Sequence, residues 1–391
     1  MSKIVVLGGA GAQGLFAIEA LLQRDVFDEI IVASRNVERT KQILNEKFDS
    51  PKLKAERVDV LDKDSLANLI KDADVVANCT GPYYLLAEPI IDTVIEAGKD
   101  YVDFCDDIAA HEKIFTPERE KQAKEKGLRI IVGLGSSPGT LPLTVVYASA
   151  LMDEIDDVTF YLAISDREPE GPAVLHHTME NFIGDIPVIK DGKRTVEKDF
   201  EGEVYYDFGE PFGVLPVSSI GHPETFSLPR VLPNIKNISI KLGLYPIEIQ
   251  RTLKTLTLTG LTSTEPIEVK GQTVVPRDVT LTLLNQITPR TELFENEHPE
   301  PLSSSAIEIR GKKDGNEILF KTLGYGNMGP ATGYPLAVGA EMLAQGKIEK
   351  TGLMVPEECI DPIPFIAEVG QRVHESGYET TSDTKIVTHI K

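Results

Sequence analysis

Lys3-Ile4-Val5-Val6-Leu7-Gly8-Gly9-Ala10-Gly11-Ala12-Gln13-Gly14 is the stretch that decides the fold. A short apolar run enters a glycine-rich turn, and Leu15, Ile18, Ala20, Leu21 and Leu22 follow at helical spacing. A buried strand therefore hands over to a helix at the glycines. Gly9, Gly11 and Gly14 fit G-x-G-x-x-G. That spacing is a weak signal alone, but between a strand and a helix it has a mechanism. The first glycine makes a tight turn, the second lets backbone N–H groups approach a pyrophosphate, and the third lets the helix pack close to the strand. The helix N-terminus adds partial positive charge. The expectation is a dinucleotide-binding turn made of Gly9, Gly11, Ala12, Gln13 and Gly14. A glycine-rich turn without a ligand is the alternative.

Outward from the turn, strand and helix alternate. Strands are expected at Glu29–Ala33, Leu53–Val58, Asp74–Asn78, Tyr101–Phe104 and Arg129–Val132, after the first at Lys3–Leu7. Helices are expected at 13–23, 37–47, 65–71 (capped by Asp62), 85–97 (closed by Gly98) and 117–126. This alternation predicts a Rossmann-type, doubly wound parallel sheet, with a flavodoxin-like layout as the alternative.

The end of the second strand bears on the cofactor. An NAD site usually has a carboxylate about 20 residues after the last glycine, bonding the ribose 2′-OH. Ser34 and Arg35 stand there instead, with Arg39 one helical turn on. A hydroxyl and a guanidinium suit a 2′-phosphate, so NADP is expected ahead of NAD. The competing reading makes Ser34 a helix cap and Arg35 a solvated side chain. Asp59, after the third strand, is a candidate for the adenine side.

From about residue 157 the pattern changes to strand-like runs at 158–164, 235–242, 254–262, 265–269 and 306–312, rich in Thr and Val. Lys190-Asp191-Gly192-Lys193 and Lys313-Asp314-Gly315-Asn316 mark hairpin turns. The helical pattern returns at 335–345 and 363–373. The fold class expected is α/β with an α+β second domain built on a mixed or antiparallel sheet. Its parts are a dinucleotide-binding domain at 1–145, an α+β substrate and dimerisation domain at 146–333, and helices at 334–391 packing back on the first domain.

Composition sets limits. The 391 residues hold 61 Asp and Glu against 40 Lys and Arg, a formal net charge of −21. Such a surface repels nucleic-acid phosphates and anionic lipid. Three cysteines without a CxxC spacing argue against a disulfide framework or zinc cluster. No run approaches the ~18 apolar residues of a membrane span. A cytoplasmic protein with no membrane or nucleic-acid partner, and a homodimer, is expected. None of the 11 tyrosines has Lys four residues on, which sets aside a Tyr-x-x-x-Lys dehydrogenase. His176-His177 and Glu180 are a weak metal pattern, and no metal is expected.

Ligands of such sheets bind outside the carboxyl ends of the strands. Those ends read Cys79-Thr80-Gly81-Pro82-Tyr83-Tyr84, Asp103-Phe104-Cys105-Asp106-Asp107 and Gly133-Leu134-Gly135-Ser136-Ser137-Pro138-Gly139. Thr80-Gly81-Pro82-Tyr83, Tyr101-Val102-Asp103 and the Gly-x-x-Pro-Gly of 135–139 together resemble the saccharopine dehydrogenase-like oxidoreductases. So do Gly221-His222-Pro223-Glu224-Thr225, Leu228-Pro229-Arg230, Leu232-Pro233-Asn234 and Pro276-Arg277-Asp278-Val279. Thr332-Gly333-Tyr334-Pro335, Gly346-Lys347-Ile348, Gly352 and Pro356-Glu357-Glu358 continue the resemblance to the end. One departure is Pro142, where many relatives carry Asn.

What the resemblance implies is hydride transfer between a nicotinamide and a carbon bonded to nitrogen, in an amino acid or opine, through an imine. A cofactor-binding sensor without turnover is the alternative. The cofactor carries the hydride, leaving the protein to position groups and manage protons. Asp103 and Asp106, at the mouth of the fifth strand, are candidate acid/base groups; the alternative is that Asp106 or Asp107 caps the next helix. His222 and Glu224 form an acid/base pair on the strength of the resemblance. Tyr83 and Tyr84 are candidates for contact with substrate, and Thr80, Gly81 and Pro82 for contact with cofactor. Arg230 is favoured over Arg251 and Arg277 to hold a substrate carboxylate. Cys105 reads as a buried structural thiol, and His111 as a surface or helix residue.

Overall fold

A computed structural model describes residues 2–168, 181–287 and 302–388. The chain forms two compact units. The first comprises Met1–Asp153, His222–Pro233 and Asn327–Thr380; the second comprises Glu154–Gly221, Asn234–Gly326 and Thr381–Lys391. Segment 222–233, expected within the second domain, is part of the first unit.

The first unit opens with β1 (Lys3–Leu7), α1 (Ala12–Leu22), β2 (Glu29–Ser34), α2 (Val37–Lys47), β3 (Leu53–Arg57), α3 (Lys63–Ile70) and β4 (Val75–Asn78). It continues with α4 (Tyr83–Ala97), β5 (Asp100–Asp103), α5 (Ile108–Ile114), α6 (Pro117–Glu125), β6 (Arg129–Ile131) and α7 (Thr140–Ser149). The strands pair in parallel in the order β6-β5-β4-β1-β2-β3, and Gly352–Met354 adds a seventh strand beside β6. The order reverses between β1 and β4, which places the ligand crevice at their carboxyl ends.

Parallel strands are covered on both faces, so their side chains alternate between two cores. Ile4 and Val6 pack with α1 and the helices Met328–Ala344 and Pro362–Glu375. Val5 and Leu7 pack with α3 and α4 on the other face. Side chains cap the helices where their first N–H groups lack partners: Asn36 accepts from the Arg39 N–H, Asp62 from Ser65, Asp107 from Ala110 and Thr116 from Arg119. Gly98 closes α4 in a left-handed conformation at φ 68°.

The sequence missed four helices and strands of this unit: α5, only seven residues long, α7, the eight-residue helix Glu224–Val231 and the three-residue strand Gly352–Met354. The short elements show no periodicity, and in α7 the Pro142 and the β-branched Thr144, Val145 and Val146 hide a helix. Helix α4 also begins two residues earlier than expected, at Tyr83.

The second unit is built on a nine-stranded mixed sheet. Its main path runs Val204–Asp207, Val214–Ser219, Asn237–Tyr245, Glu154–Ser165, Ser303–Lys313, Asn316–Gly326 and Thr381–Thr388. The 237–245 and 154–165 strands pair in parallel and the others antiparallel. Both expected hairpin turns occur. Asp191 and Gly192 have φ 50° and 71°, and Asp314 and Gly315 have φ 50° and 75°. Positive φ at two successive residues is the type I′ signature that Asp-Gly favours.

The strand expected at 254–262 is a correction: Ile247–Leu258 is a helix. Its alternating Thr and Leu imitate a strand. The Thr255, Thr257 and Thr259 hydroxyls instead donate to carbonyls four residues back, at 2.8, 2.9 and 2.8 Å. Back-bonding of this kind lets β-branched residues sit inside a helix.

Candidate active site

The glycine turn forms as a cradle. Gly8 is its left-handed residue, at φ 70°, and a Cβ there would lie 2.8 Å from the Thr80 side chain. The Gly11 N–H donates to the Gly8 carbonyl at 2.9 Å. A Cβ on Gly14 would lie 2.8 Å from the Gly9 Cα, so only glycine lets α1 start this close to the turn. Helix α1 has no side-chain cap and no acidic residue in its first turn. Gly11 and Ala12 are exposed. The helix's first N–H groups are thus left for an anion, and the cradle fits a dinucleotide pyrophosphate.

At the end of β2, the Ser34 hydroxyl hydrogen-bonds Thr40 at 2.7 Å. Asn36, not Ser34, caps α2. Arg35 and Arg39 are exposed, and neither pairs with a carboxylate among the described residues. Asp59 is exposed and accepts from the Leu61 N–H at 3.1 Å.

Asn78, the last residue of β4, organises the next stretch. It is fully buried. Its Oδ1 accepts from the Thr80 N–H at 2.9 Å and the Thr80 hydroxyl at 2.5 Å. The Tyr83 hydroxyl donates to its carbonyl at 3.1 Å. Its Nδ2 donates to the Tyr101 hydroxyl at 3.0 Å, which donates in turn to Asp103 at 2.7 Å. The other Asp103 oxygen accepts from the Cys105 N–H at 3.0 Å and the Gly133 N–H at 2.8 Å. Burial pushes the Asp103 carboxyl up to about 6 against these hydrogen bonds, which pull it down. Asp103 therefore ties three strand ends together rather than facing solvent.

Tyr83 is buried edge-on to Phe104. Tyr84 and Asp106 are half-buried, and Gly81 is exposed. The Tyr84 N–H donates to Asp107 at 3.1 Å. Asp107 also caps α5, so of Asp106 and Asp107 it is Asp107 that takes the capping role. Cys105 is fully buried, and burial raises its thiol well above the ordinary range.

The second cluster lies on the loop after β6 and on the helix Glu224–Val231. The loop is pinned by hydrogen bonds from the Gly135 N–H to the Pro138 carbonyl and from the Thr140 N–H to Gly135, both 2.9 Å. The Ser137 hydroxyl donates to Glu224 Oε1, and His222 Nδ1 lies 2.5 Å from Glu224 Oε2. Burial would raise the Glu224 carboxyl, but His222 and the Ser137 hydroxyl hold it below its ordinary value. His222 Nε2 makes no hydrogen bond among the described residues. The chain Ser137–Glu224–His222 thus fixes the imidazole by one nitrogen and leaves the other available.

His111, read from the sequence as a surface or helix residue, is on α5 but fully buried. Its Nδ1 lies 3.0 Å from the Asp107 carbonyl, and its Nε2 has no partner. Burial depresses it to about 4. Glu357 is also buried; its Oε1 accepts from the Ser227 hydroxyl at 2.5 Å, and its Oε2 has no partner. Arg230, expected to hold a substrate, is already engaged. It reaches Glu120 at 2.8 Å and Glu358 at 3.5 Å, and lies 4.7 Å from the Phe115 ring centre. Its charge is used in an ion-pair and aromatic clip.

Ser137, Asn78 and Glu357 are the site-region residues the sequence reading did not single out. A polar residue closing the apolar run Val75-Val76-Ala77-Asn78 was the available signal for Asn78. The His176-His177-Glu180 pattern lies outside the described residues. Among the described residues, no group of three or more His, Cys, Asp or Glu can hold a metal. Nor is any helix long and apolar enough to cross a membrane.

Two family models match: the saccharopine dehydrogenase NADP binding domain over residues 4–131 and the saccharopine dehydrogenase C-terminal domain over residues 176–374. A carboxyaminopropylagmatine dehydrogenase of Synechocystis is 28% identical over 95% of this chain and 96% of its own length. A carboxynorspermidine synthase of Vibrio alginolyticus is 25% identical over 93% of each chain. The apo structure of the L-Glu-forming saccharopine dehydrogenase from Saccharomyces cerevisiae shares the fold, with a TM-score of 0.67 at 15% identity over 98% of this chain and 100% of that one. With the glycine cradle in place and both halves of the family pattern matched, the chain belongs to the saccharopine dehydrogenase family and is a nicotinamide-nucleotide-dependent oxidoreductase.

Proposed function

We propose that the protein is an NADP-dependent dehydrogenase or reductase acting at the C–N bond of an amino-acid-like or polyamine-like secondary amine, through an imine. The observation that carries this reading is the Ser137–Glu224–His222 chain, which ends in an available imidazole nitrogen. Ser137 lies on the same carboxyl edge of the sheet as the glycine cradle. The relatives named for carboxyaminopropylagmatine and carboxynorspermidine support the substrate class.

The nicotinamide supplies or takes the hydride when bound. The cradle at Gly9, Gly11, Ala12, Gln13 and Gly14 holds the pyrophosphate, and Thr80, Gly81 and Pro82 line the neighbouring strand end. Ser34, Arg35 and Arg39 receive the 2′-phosphate, since two guanidiniums without carboxylate partners match its charge. Asp59 stands on the adenine side. His222 Nε2 holds the proton that an imine nitrogen gains as it becomes an amine. In the opposite direction it takes a proton from the water that attacks the same carbon. Glu224 orients the ring through Nδ1. Asp103 acts as a positioning residue, with Asp106, Tyr83 and Tyr84 beside it. The open second sheet supports a homodimer, and three free thiols support a cytoplasmic location.

The test is to follow oxidation of NADPH and NADH with amines paired with carboxylate-bearing aldehydes. NADPH-dependent turnover is expected only when both partners are present. Replacing both Arg35 and Arg39 with Ala should shift kcat/KM towards NADH by about tenfold or more. Tight NADPH binding with no turnover across the panel would overturn the enzymatic reading.

A further inference from the structure

We propose that the strand Thr381–Thr388 is the dimerisation seam of the protein, pairing antiparallel with the same strand of a second copy about a two-fold axis at Thr384; this rests on the homodimer proposed above. The strand is the last on its side of the nine-stranded sheet. One edge pairs with Asn316–Gly326, in a register running from Ile318 opposite Thr388 to Tyr325 opposite Thr381. The other edge has no strand beside it among the described residues.

All eight residues are exposed, including the adjacent Ile386 and Val387 at 52% and 46%. A long unprotected edge is a template for another strand, and proteins usually blunt it with like charges, proline or a bulge. Here the edge holds only one Asp and one Lys, two residues apart. The far margin of the sheet, Val204–Asp207, is half as long.

The charge pattern selects the register. Residues directly opposite in an antiparallel pair must point to the same face, and side chains alternate faces along a strand. A two-fold axis must therefore pass through a residue, not between two. Centred on Asp383 or on Lys385, it would set like charges against each other. Centred on Thr384, it sets Asp383 against the partner's Lys385 and Lys385 against the partner's Asp383. Unlike cross-strand pairs stabilise such a seam and like pairs destabilise it. The same register covers Ile386 and Val387 with the partner's Ser382 and Thr381. The two sheets then continue as one.

The experiment is light scattering with size-exclusion chromatography at several protein concentrations, on the wild type, Asp383→Lys, and the double variant Asp383→Lys with Lys385→Asp. Both side chains are exposed, so the variants should fold, and circular dichroism checks this. The wild type should run at twice 42.9 kDa. The single variant meets two lysine–lysine pairs across the seam and should weaken dimerisation by about tenfold or more. The double variant restores unlike pairs and should recover the dimer. A wild type that stays at 42.9 kDa overturns the homodimer itself. A dimer indifferent to the single charge reversal overturns the seam and leaves the homodimer standing.

Discussion

Glu357 is a carboxyl group kept from water with one oxygen unused. Burial pushes it up to about 7 from 4.5, and the Ser227 hydroxyl only partly opposes this. The folded state thus holds a proton that the unfolded chain releases between those two values. The stability this contributes is complete below pH 4.5 and is lost as pH rises through 7. Glu357→Gln mimics the protonated form and should remove that loss. The variant should match the wild type in denaturant near pH 4.5 and exceed it by about 2–3 kcal/mol at pH 8. Parallel curves at both pH values would show that the carboxyl is ionised throughout. His111 has the opposite sign. Burial lowers it to about 4 from 6.5, so its contribution is present above 6.5 and is lost as pH falls towards 4. Asp103, raised to about 6, and Glu224, lowered, add their own slopes to the wild-type pH profile, which is why a variant comparison isolates Glu357.

At the scale of elements, the tightest constraint is the crossing of α1 by the helix Met328–Ala344. A Cβ on Gly333 would lie 2.6 Å from the backbone nitrogen of Ala17, and one on Gly329 would lie 2.1 Å from the Phe16 ring. Gly333→Ala therefore forces backbone apart and should cost about 1–3 kcal/mol in urea unfolding, despite alanine's better helix propensity. Gly370→Ala, in the helix Pro362–Glu375, meets nothing within 4 Å and should lose nothing. Equal effects at the two sites would mean that the helices do not pack this closely. The legibility of the sequence follows the same physics. Elements with their own periodicity, such as α2 at 37–47 and β1 at 3–7, could be read to the residue, although the cap of α2 is Asn36 and not Ser34. So could the two Asp-Gly turns, because positive φ is a local demand. The short α5, the strand at 352–354 and the threonine-rich helix at 247–258 could not, because tertiary contacts or back-bonded hydroxyls decide them. At the site, the tight turn of the cradle was legible as glycines, because close backbone approach is a local demand. Arg230 was misleading, since its partners Glu120 and Glu358 lie far off in sequence.

At the scale of the whole molecule, the first unit is assembled from three separated stretches of chain. Its sheet receives its seventh strand from residues 352–354, and the α1 face of its core is covered by residues 328–344 and 362–375. A fragment of residues 1–153 keeps β1 to β6 and the glycine turn but leaves Ile18, Leu21 and Phe16 without their cover. That fragment should show no cooperative thermal transition by circular dichroism, whereas the full chain should. A sharp transition in the fragment would show that the late segments are dispensable. The same threading sets a schedule during synthesis. About 175 residues separate the end of the first stretch from the start of the covering helix. At ~5–20 residues per second, the nascent cofactor-binding half waits roughly 10–35 s on the ribosome with an apolar face uncovered. A premature stop codon near the 3′ end of the message would therefore strand that half, turning a small truncation into a substrate for chaperones and proteases.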